Sequence, residues 1–290
     1  MLPSGSSSIN LHSNFQHIFI SRKIPMKQTT FLLSLIILIS LGCSSGKNDT
    51  SPVDKQQSDS LITQTKCADG SEISFGEYTA SNNVWGKGTI TDYHQCIQLS
   101  TNDTTTIWSW YWNWPAAGEG NVKAYPEIIY GWKPFNSRST TAKLPLPLKE
   151  NHSISIRWKL ISTEMTGTGN LAFDIWITNS ATPGEQNITR EIMIWLENFG
   201  QQPGGMLVTK TAIDSVQYSF YKADWNWTYF AFVKTSQAEI HEIRLESILR
   251  FLIDNKYISS SEYLAAIEFG NEIVSGSGET TVDGYSIDIK

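Results

Sequence analysis

The sequence predicts an all-β domain, an antiparallel β-sandwich carrying one amphipathic helix on its outside. Three observations predict it. From Cys67 onward, apolar and polar residues alternate with period two over short runs. Turn residues separate those runs at regular intervals. One segment alone, about 240–255, switches to helical spacing.

The strands follow in chain order. Trp108, Trp110, Trp112 and Trp114 occupy one face of the first clear strand. Ile154, Ile156, Trp158 and Leu160 form an apolar face opposed by Ser155, Arg157 and Lys159. Leu171, Phe173, Ile175 and Ile177 do the same, with Asp174 and Trp176 pointing the other way. Ile192, Ile194 and Leu196 are opposed by Glu191, Met193 and Trp195. Further strands are expected at 216–222, 227–234, 263–270 and 284–289. Between them, Ile240, Ile243, Ile248, Leu249, Leu252 and Ile253 recur at helical spacing, with charges filling many intervening positions. That stripe is expected to pack on the outside of a sheet. No internal repeat or second domain is legible, and the domain is expected over 65–290.

The first sixty residues are of another kind. Phe31 to Leu41 is an apolar run interrupted only by Ser34 and Ser40, preceded by Met26-Lys27. A bilayer span needs roughly 20 apolar residues, so the run reads as the core of a signal peptide. It ends at Leu41-Gly42-Cys43-Ser44-Ser45, which resembles a bacterial lipoprotein cleavage box with Cys43 as the lipidated residue. Residues 1–43 are therefore read as a leader with its start at Met26. Residues 44–64 are Ser, Lys, Asn, Asp, Gln and Thr with little to bury, the composition of a flexible tether. Export means an oxidising compartment, so Cys67 and Cys96 are expected to pair.

Composition narrows the function. Charged residues are 17% of the chain, against an ordinary share of about 25%. The net charge is −6, and the leader's three basic residues hide a still more acidic remainder. Such a surface argues against nucleic acid. Aromatic residues are 12%, with 11 Trp, which suits contact with sugars.

Within 65–290 no Gly-x-Ser-x-Gly elbow and no phosphate-binding glycine loop occurs. The histidines are isolated, and none has metal-ligand spacing. Acid–base work therefore falls to carboxylates, with no metal or cofactor called for. Glu191 shares a strand face with an adaptable thioether and a large flat ring, the make-up of a groove floor. An edge-strand Glu paired with Arg190 or a Lys is the competing reading. Glu268 and Glu272 share a face if Ile267–Ile273 is one regular strand, but Gly270-Asn271 suggests a bend that re-aims Glu272. Pattern alone leaves Glu268 and Glu272 as alternatives. Asp174 is a third acid on the groove side, able to couple to a neighbouring carboxylate or to serve a purely structural bond.

Several motifs occur in one order. They are Asn82-Asn83-Val84-Trp85-Gly86, Trp112-Asn113-Trp114 and Asn121-Val122-Lys123-Ala124-Tyr125-Pro126. They continue with Phe173-Asp174-Ile175-Trp176, Glu191-Ile192-Met193-Ile194-Trp195-Leu196 and Phe269-Gly270-Asn271-Glu272. In this the chain resembles glycoside hydrolase family 12 over about 67–290. The Cys67 and Cys96 spacing resembles that family's disulfide.

The resemblance implies a β-jelly roll of two bent sheets with a long cleft on the concave side. It implies retaining, endo-acting hydrolysis of β-1,4-glucosidic bonds in cellulose-type β-glucan or xyloglucan. Glu191 takes the nucleophile's place, Glu272 rather than Glu268 that of the general acid/base, and Asp174 that of the acid supporting the nucleophile. Asn83 and Trp85 take the place of the sugar contacts on the non-reducing side, with Met193 and Trp195 in the groove. Two segments depart from the family pattern. Ala223-Asp224-Trp225-Asn226 stands where many members have Tyr-Asn-Gly, and Ile273 stands where fungal members have Pro.

The chemistry needs an ionised Glu191 and a protonated Glu272, about 5–5.5 Å apart for retention. Burial and the charge of Glu191 are expected to raise Glu272. The loops 115–125 and 199–206 are expected to set cleft width. The expected partner is a β-glucan polysaccharide, with the membrane reached only through a lipid on Cys43, and the chain is expected to be a monomer. Two rivals compete. A carbohydrate-binding surface lipoprotein shares the sandwich and the tryptophans but has no use for paired groove acids. A family 11 xylanase has a Tyr-rich nucleophile strand, unlike Glu191–Leu196.

Overall fold

The computed structural model describes residues 60–116 and 120–290. The leader, Cys43 and the tether up to residue 59 lie outside the described residues. In chain order the first strands are β1 (Ile62–Lys66), β2 (Glu72–Phe75), β3 (Tyr78–Ser81), β4 (His94–Thr101), β5 (Thr106–Trp114) and β6 (Glu127–Gly131). Then come β7 (Leu146–Pro147), β8 (Ile154–Met165), β9 (Thr168–Thr178), β10 (Ile188–Phe199), β11 (Met206–Ile213) and β12 (Val216–Asp224). β13 (Thr228–Lys234), β14 (Glu242–Arg244), α1 (Leu245–Asp254), β15 (Tyr263–Gly270) and β16 (Ile273–Ile289) complete the chain.

Two sheets result. One runs β1-β4-β5-β16-β8-β14. The other runs β2-β3-β6-β15-β9-β10-β13-β12-β11, with β7 against β15. β16 joins them. Its first residues pair with β9, and the rest runs between β5 and β8. The pairing is antiparallel except between β10 and β13, which lie parallel. This is the predicted antiparallel sandwich, bent and nearly closed, with one parallel pair that alternation cannot reveal.

The four alternating tryptophans of β5 are all buried between the sheets. Trp110 stands edge-on to Phe269 at 6.1 Å, and Phe269 stacks on Phe173 at 4.4 Å. Four large indoles and two phenyl rings supply the apolar area that holds the sheets together.

The helix is shorter than its pattern. Glu242–Arg244 forms β14 and pairs with β8, so the helix begins at Leu245. The segment Glu242-Ile243-Arg244 satisfies period two as well as period 3.6, and the open edge of β8 offers it backbone partners. Leu245, Ile248, Leu249 and Leu252 are buried. Phe251 packs edge-on to Phe220 of β12 and Phe232 of β13, at 5.6 and 5.7 Å. The helix therefore covers the core-facing side of β12 and β13.

Two boundaries also moved. β1 starts at Ile62, inside the stretch read as tether. The last strand starts at Ile273 rather than 284, because β16 continues through Gly276, Gly278 and Gly284, which break the alternation. Cys67 and Cys96 are joined in a disulfide that ties β4 to the segment after β1.

Candidate active site

The concave sheet carries a cleft of about 1450 Å³. Asn83, Trp85, Asp174, Glu191, Met193, Trp195 and Glu272 all line it. Trp85 stands near the β3 end with 64% of its surface exposed. Met193 and Trp195 are almost wholly buried, with the Trp195 indole N–H donating to Met193 Sδ at 3.4 Å. They make the floor of the groove rather than platforms within it.

Strand register puts the acids in place. On β10, Glu191 lies opposite Trp176 of β9 and beside Tyr229 of β13. Asp174 lies one row further on, opposite Met193 and next to Glu268 of β15. Glu191 sits among Trp176, Trp227 and Tyr229, so burial is the largest influence on it and pushes its pKa up to about 7. The charge of Glu272 adds to the rise. The Trp227 indole N–H donates to Glu191 Oε2 at 2.6 Å and opposes it, as Lys133 does at longer range.

Glu272 is placed by a break in the strand. β15 ends at Gly270 and β16 begins at Ile273, so Glu272 does not continue the alternation of Glu268. A side chain at Gly270 would strike the Pro126 carbonyl, which lies 2.2 Å from where a Cβ would stand. Asn271 is fully buried and anchors the break. Its Oδ1 accepts from Trp110 Nε1 at 2.7 Å and from Thr280 Oγ1 at 2.8 Å, and its Nδ2 donates to the Asn170 carbonyl at 2.8 Å.

Asn170 in turn grips Glu272 at three points. Its N–H donates to the Glu272 carbonyl at 3.0 Å, its Oδ1 accepts the Glu272 N–H at 3.2 Å, and its Nδ2 donates to Oε2 at 2.5 Å. Gln201 Nε2 donates to the same Oε2 at 2.8 Å. Burial raises the pKa of Glu272, and these two amide donors restrain the rise. Burial is thus the cause on both acids, and their mutual repulsion is expressed on Glu191. The sequence-based expectation placed it on Glu272, where burial is the cause of the rise.

Glu268, the alternative acid, is occupied elsewhere. It has no exposed surface, and its Oε2 accepts from Lys133 Nζ at 2.7 Å. Lys133 also donates to both oxygens of Glu127, at 2.9 and 3.0 Å. Glu127 Oε1 accepts from Asn83 Nδ2 at 2.9 Å, so this buried ion cluster holds a cleft residue in place. Asp174 has one oxygen without a hydrogen-bond partner. Burial first, then the charges of Glu191 and Glu268, raise its pKa well above the usual range.

Sequence reasoning missed Asn170, Gln201, Glu127, Lys133 and Trp227. Only Glu127 and Trp227 carry a local signal, the first directly after Pro126 and the second next to the divergent Ala223–Asn226 segment. Among the described residues, the one grouping of three metal-type ligands is Cys67, His94 and Cys96, and its two sulfurs are joined in the disulfide.

An open cleft on a β-sandwich, walled by rings and presenting two buried carboxyls in unlike settings, defines a glycoside hydrolase of the two-carboxylate class. The chain belongs to glycosyl hydrolase family 12, whose family model matches residues 76–290. Endoglucanase S of Pectobacterium parmentieri is 30% identical over 232 residues, covering 77% of this chain and 86% of that protein. A probable xyloglucan-specific endo-beta-1,4-glucanase A of Aspergillus flavus is 28% identical over 231 residues, covering 77% and 90%. Among solved structures, a family 12 xyloglucanase from Bacillus licheniformis in complex with ligand superposes with a TM-score of 0.72. It is 26% identical and covers 78% of this chain and 100% of that one.

Proposed function

We propose that this enzyme hydrolyses internal β-1,4-glucosidic bonds of cellulose-type β-glucan or xyloglucan with retention of configuration. The observation that carries the reading is the pairing of Glu191 and Glu272 across one cleft in unlike hydrogen-bonding settings. Family membership and the endoglucanase and xyloglucanase relatives support it.

Glu191 is the nucleophile. The Trp227 donor stabilises its ionised form at Oε2 and leaves Oε1 to attack the anomeric carbon. Glu272 is the general acid/base. Two N–H donors on Oε2 make that oxygen the carbonyl of the acid, so the proton resides on Oε1 and passes to the departing oxygen. The C1–O bond to the leaving chain breaks as the bond to Glu191 forms. Water then gives its proton to Glu272 and its oxygen to the anomeric carbon, releasing Glu191. Burial and the neighbouring carboxylates favour the protonated form of Asp174, in which it serves Glu191 as a neutral neighbour rather than a third charge. Asn83 and Trp85 bind the glycone side.

Glu191→Gln and Glu272→Gln are each expected to lower sugar release from a soluble β-glucan by at least about 10³-fold, with the fold intact. Near-normal activity in either variant would remove that residue from its role. Proton NMR of early product is expected to show the β-anomer. Release from carboxymethyl cellulose, mixed-linkage glucan and xyloglucan ranks the substrates. The leader and Cys43 support a further reading, an exported monomer held by lipid at the bacterial cell envelope. Labelling with a radioactive fatty acid tests it, and no incorporation at Cys43 would leave a freely secreted enzyme.

A further inference from the structure

The turn between β12 and β13 presents a tryptophan that the chemistry above does not use. Trp225 is 57% exposed and lines the same cleft as Trp85. The two stand at opposite ends. Trp85 follows β3, Trp225 follows β12, and β9 and β10 with Asp174 and Glu191 lie between them in the sheet. A large ring left this open is unusual for one that is also held rigidly.

The ring is held from below and at its base. It stacks on Tyr229 at 4.7 Å with the planes 28° apart. Tyr229 is buried and stands directly beside Glu191 in the register of β10 and β13. The turn is closed by the Trp225 N–H donating to the Trp227 carbonyl at 2.9 Å. Asp224 braces it, accepting from Thr228 Oγ1 at 3.1 Å and from Lys222 Nζ at 2.6 Å. Gly204 supplies the room. A Cβ there would lie 2.7 Å from the indole and would push it off Tyr229. The result is a fixed indole with one face on Tyr229 and the other on the cleft.

We propose that Trp225 is a sugar platform on the leaving-group side, stacking a β-linked glucosyl unit of the departing chain or of an incoming acceptor chain. The proposal rests on the reading of the cleft as a β-glucan site with Trp85 on the glycone side. The axial C–H faces of an equatorially linked glucan are apolar and flat, and a fixed indole binds them at little cost in conformational entropy. Continuity with the cleft, at the end that Trp85 does not serve, selects this occupant. An acceptor held there would have its hydroxyl oxygen attack the anomeric carbon. The bond from that carbon to Glu191 breaks, and the hydroxyl proton passes to Glu272.

The test compares two donors. Cellohexaose places sugars on both sides of the scissile bond, whereas β-cellotriosyl fluoride reaches no further than the leaving atom. For Trp225→Ala the ratio of kcat/KM on the hexaose to that on the fluoride is expected to fall about tenfold, the equivalent of about 1.4 kcal/mol. Transfer to added cellotriose is expected to fall with it, Trp225→Tyr to restore most of both, and Gly204→Ala to lower the ratio by displacing the ring. An unchanged ratio would overturn the platform. So would an unchanged ratio with a shift in elution volume, which would assign Trp225 to a contact between copies of the chain. A wild-type chain that cleaves neither donor and releases no sugar from xyloglucan would overturn the hydrolase reading itself and the platform with it.

Discussion

The indole N–H of Trp227 lies 2.6 Å from Oε2 of Glu191 and donates to it. Both residues came from segments the sequence treats separately, a strand and the turn after β12. Their meeting decides how the buried carboxyl titrates. Burial and the charge of Glu272 push Glu191 up to about 7, and this one donor is the main force pulling it down.

Removing the donor should therefore move the acid limb of the pH profile. The limb reports ionisation of Glu191, which the reaction requires. Trp227→Phe keeps a ring beside Trp176, now 5.4 Å away, but offers no N–H. Glu191 then rises further, and the acid limb of kcat/KM on a soluble β-glucan shifts to higher pH by roughly one unit. An unmoved limb with reduced kcat would assign Trp227 to substrate contact instead.

The same burial makes Glu191 a cost to stability. Its pKa is raised on folding, from an ordinary 4.5 to about 7. Between those values the folded state binds more protons than the unfolded one, so stability falls as pH rises through the window. Glu191→Gln removes that loss while leaving an oxygen for Trp227. The variant should match the wild type below about pH 4.5 and exceed it by up to about 3 kcal/mol above pH 7. Urea unfolding at the two pH values measures the difference. An equal offset at both would place the effect in packing rather than in charge.

The Lys133 cluster predicts the opposite sign. Glu127 and Glu268 have no exposed side-chain surface and share this one cation. Lys133→Met leaves two buried carboxyl groups without their shared cation and should cost about 3–5 kcal/mol near neutrality. Because Glu127 also holds Asn83, the variant should raise KM for β-glucan more than it lowers kcat. Adding Glu127→Gln and Glu268→Gln should recover most of the stability, and a triple variant as unstable as the single one would show that charge is not the cause.

The disulfide closes a separation of 29 residues. In the chain-entropy model such a closure contributes about 3–4 kcal/mol. Replacing Cys67 and Cys96 together by Ser should lower the urea midpoint accordingly, with kcat on β-glucan retained.

Much of the molecule was legible because alternation is a local signal. A strand half-buried on one face writes its faces into every second residue. The four tryptophans of β5, the core face of β9 and the Glu191 face of β10 are all read that way. The helix was legible for the same reason, and misjudged at its start, where Glu242-Ile243-Arg244 fits both periods and the free edge of β8 chose between them.

By itself the sequence determined the sandwich, the groove-facing position of Glu191 with Met193 and Trp195, and, through resemblance, the family. Alternation left Glu268 and Glu272 as alternatives and the resemblance favoured Glu272; tertiary structure alone gave the two acids their different surroundings. The chain changes sheets at Asn271, whose bonds to Trp110 and Asn170 reach across 161 and 101 positions. Glu268 is meanwhile taken by Lys133, 135 positions away. Periodicity ends where the backbone leaves the strand, and partners that distant leave no mark on local pattern. The parallel pairing of β10 with β13, which sets Tyr229 beside Glu191 and Trp227 within reach of it, was decided in the same way.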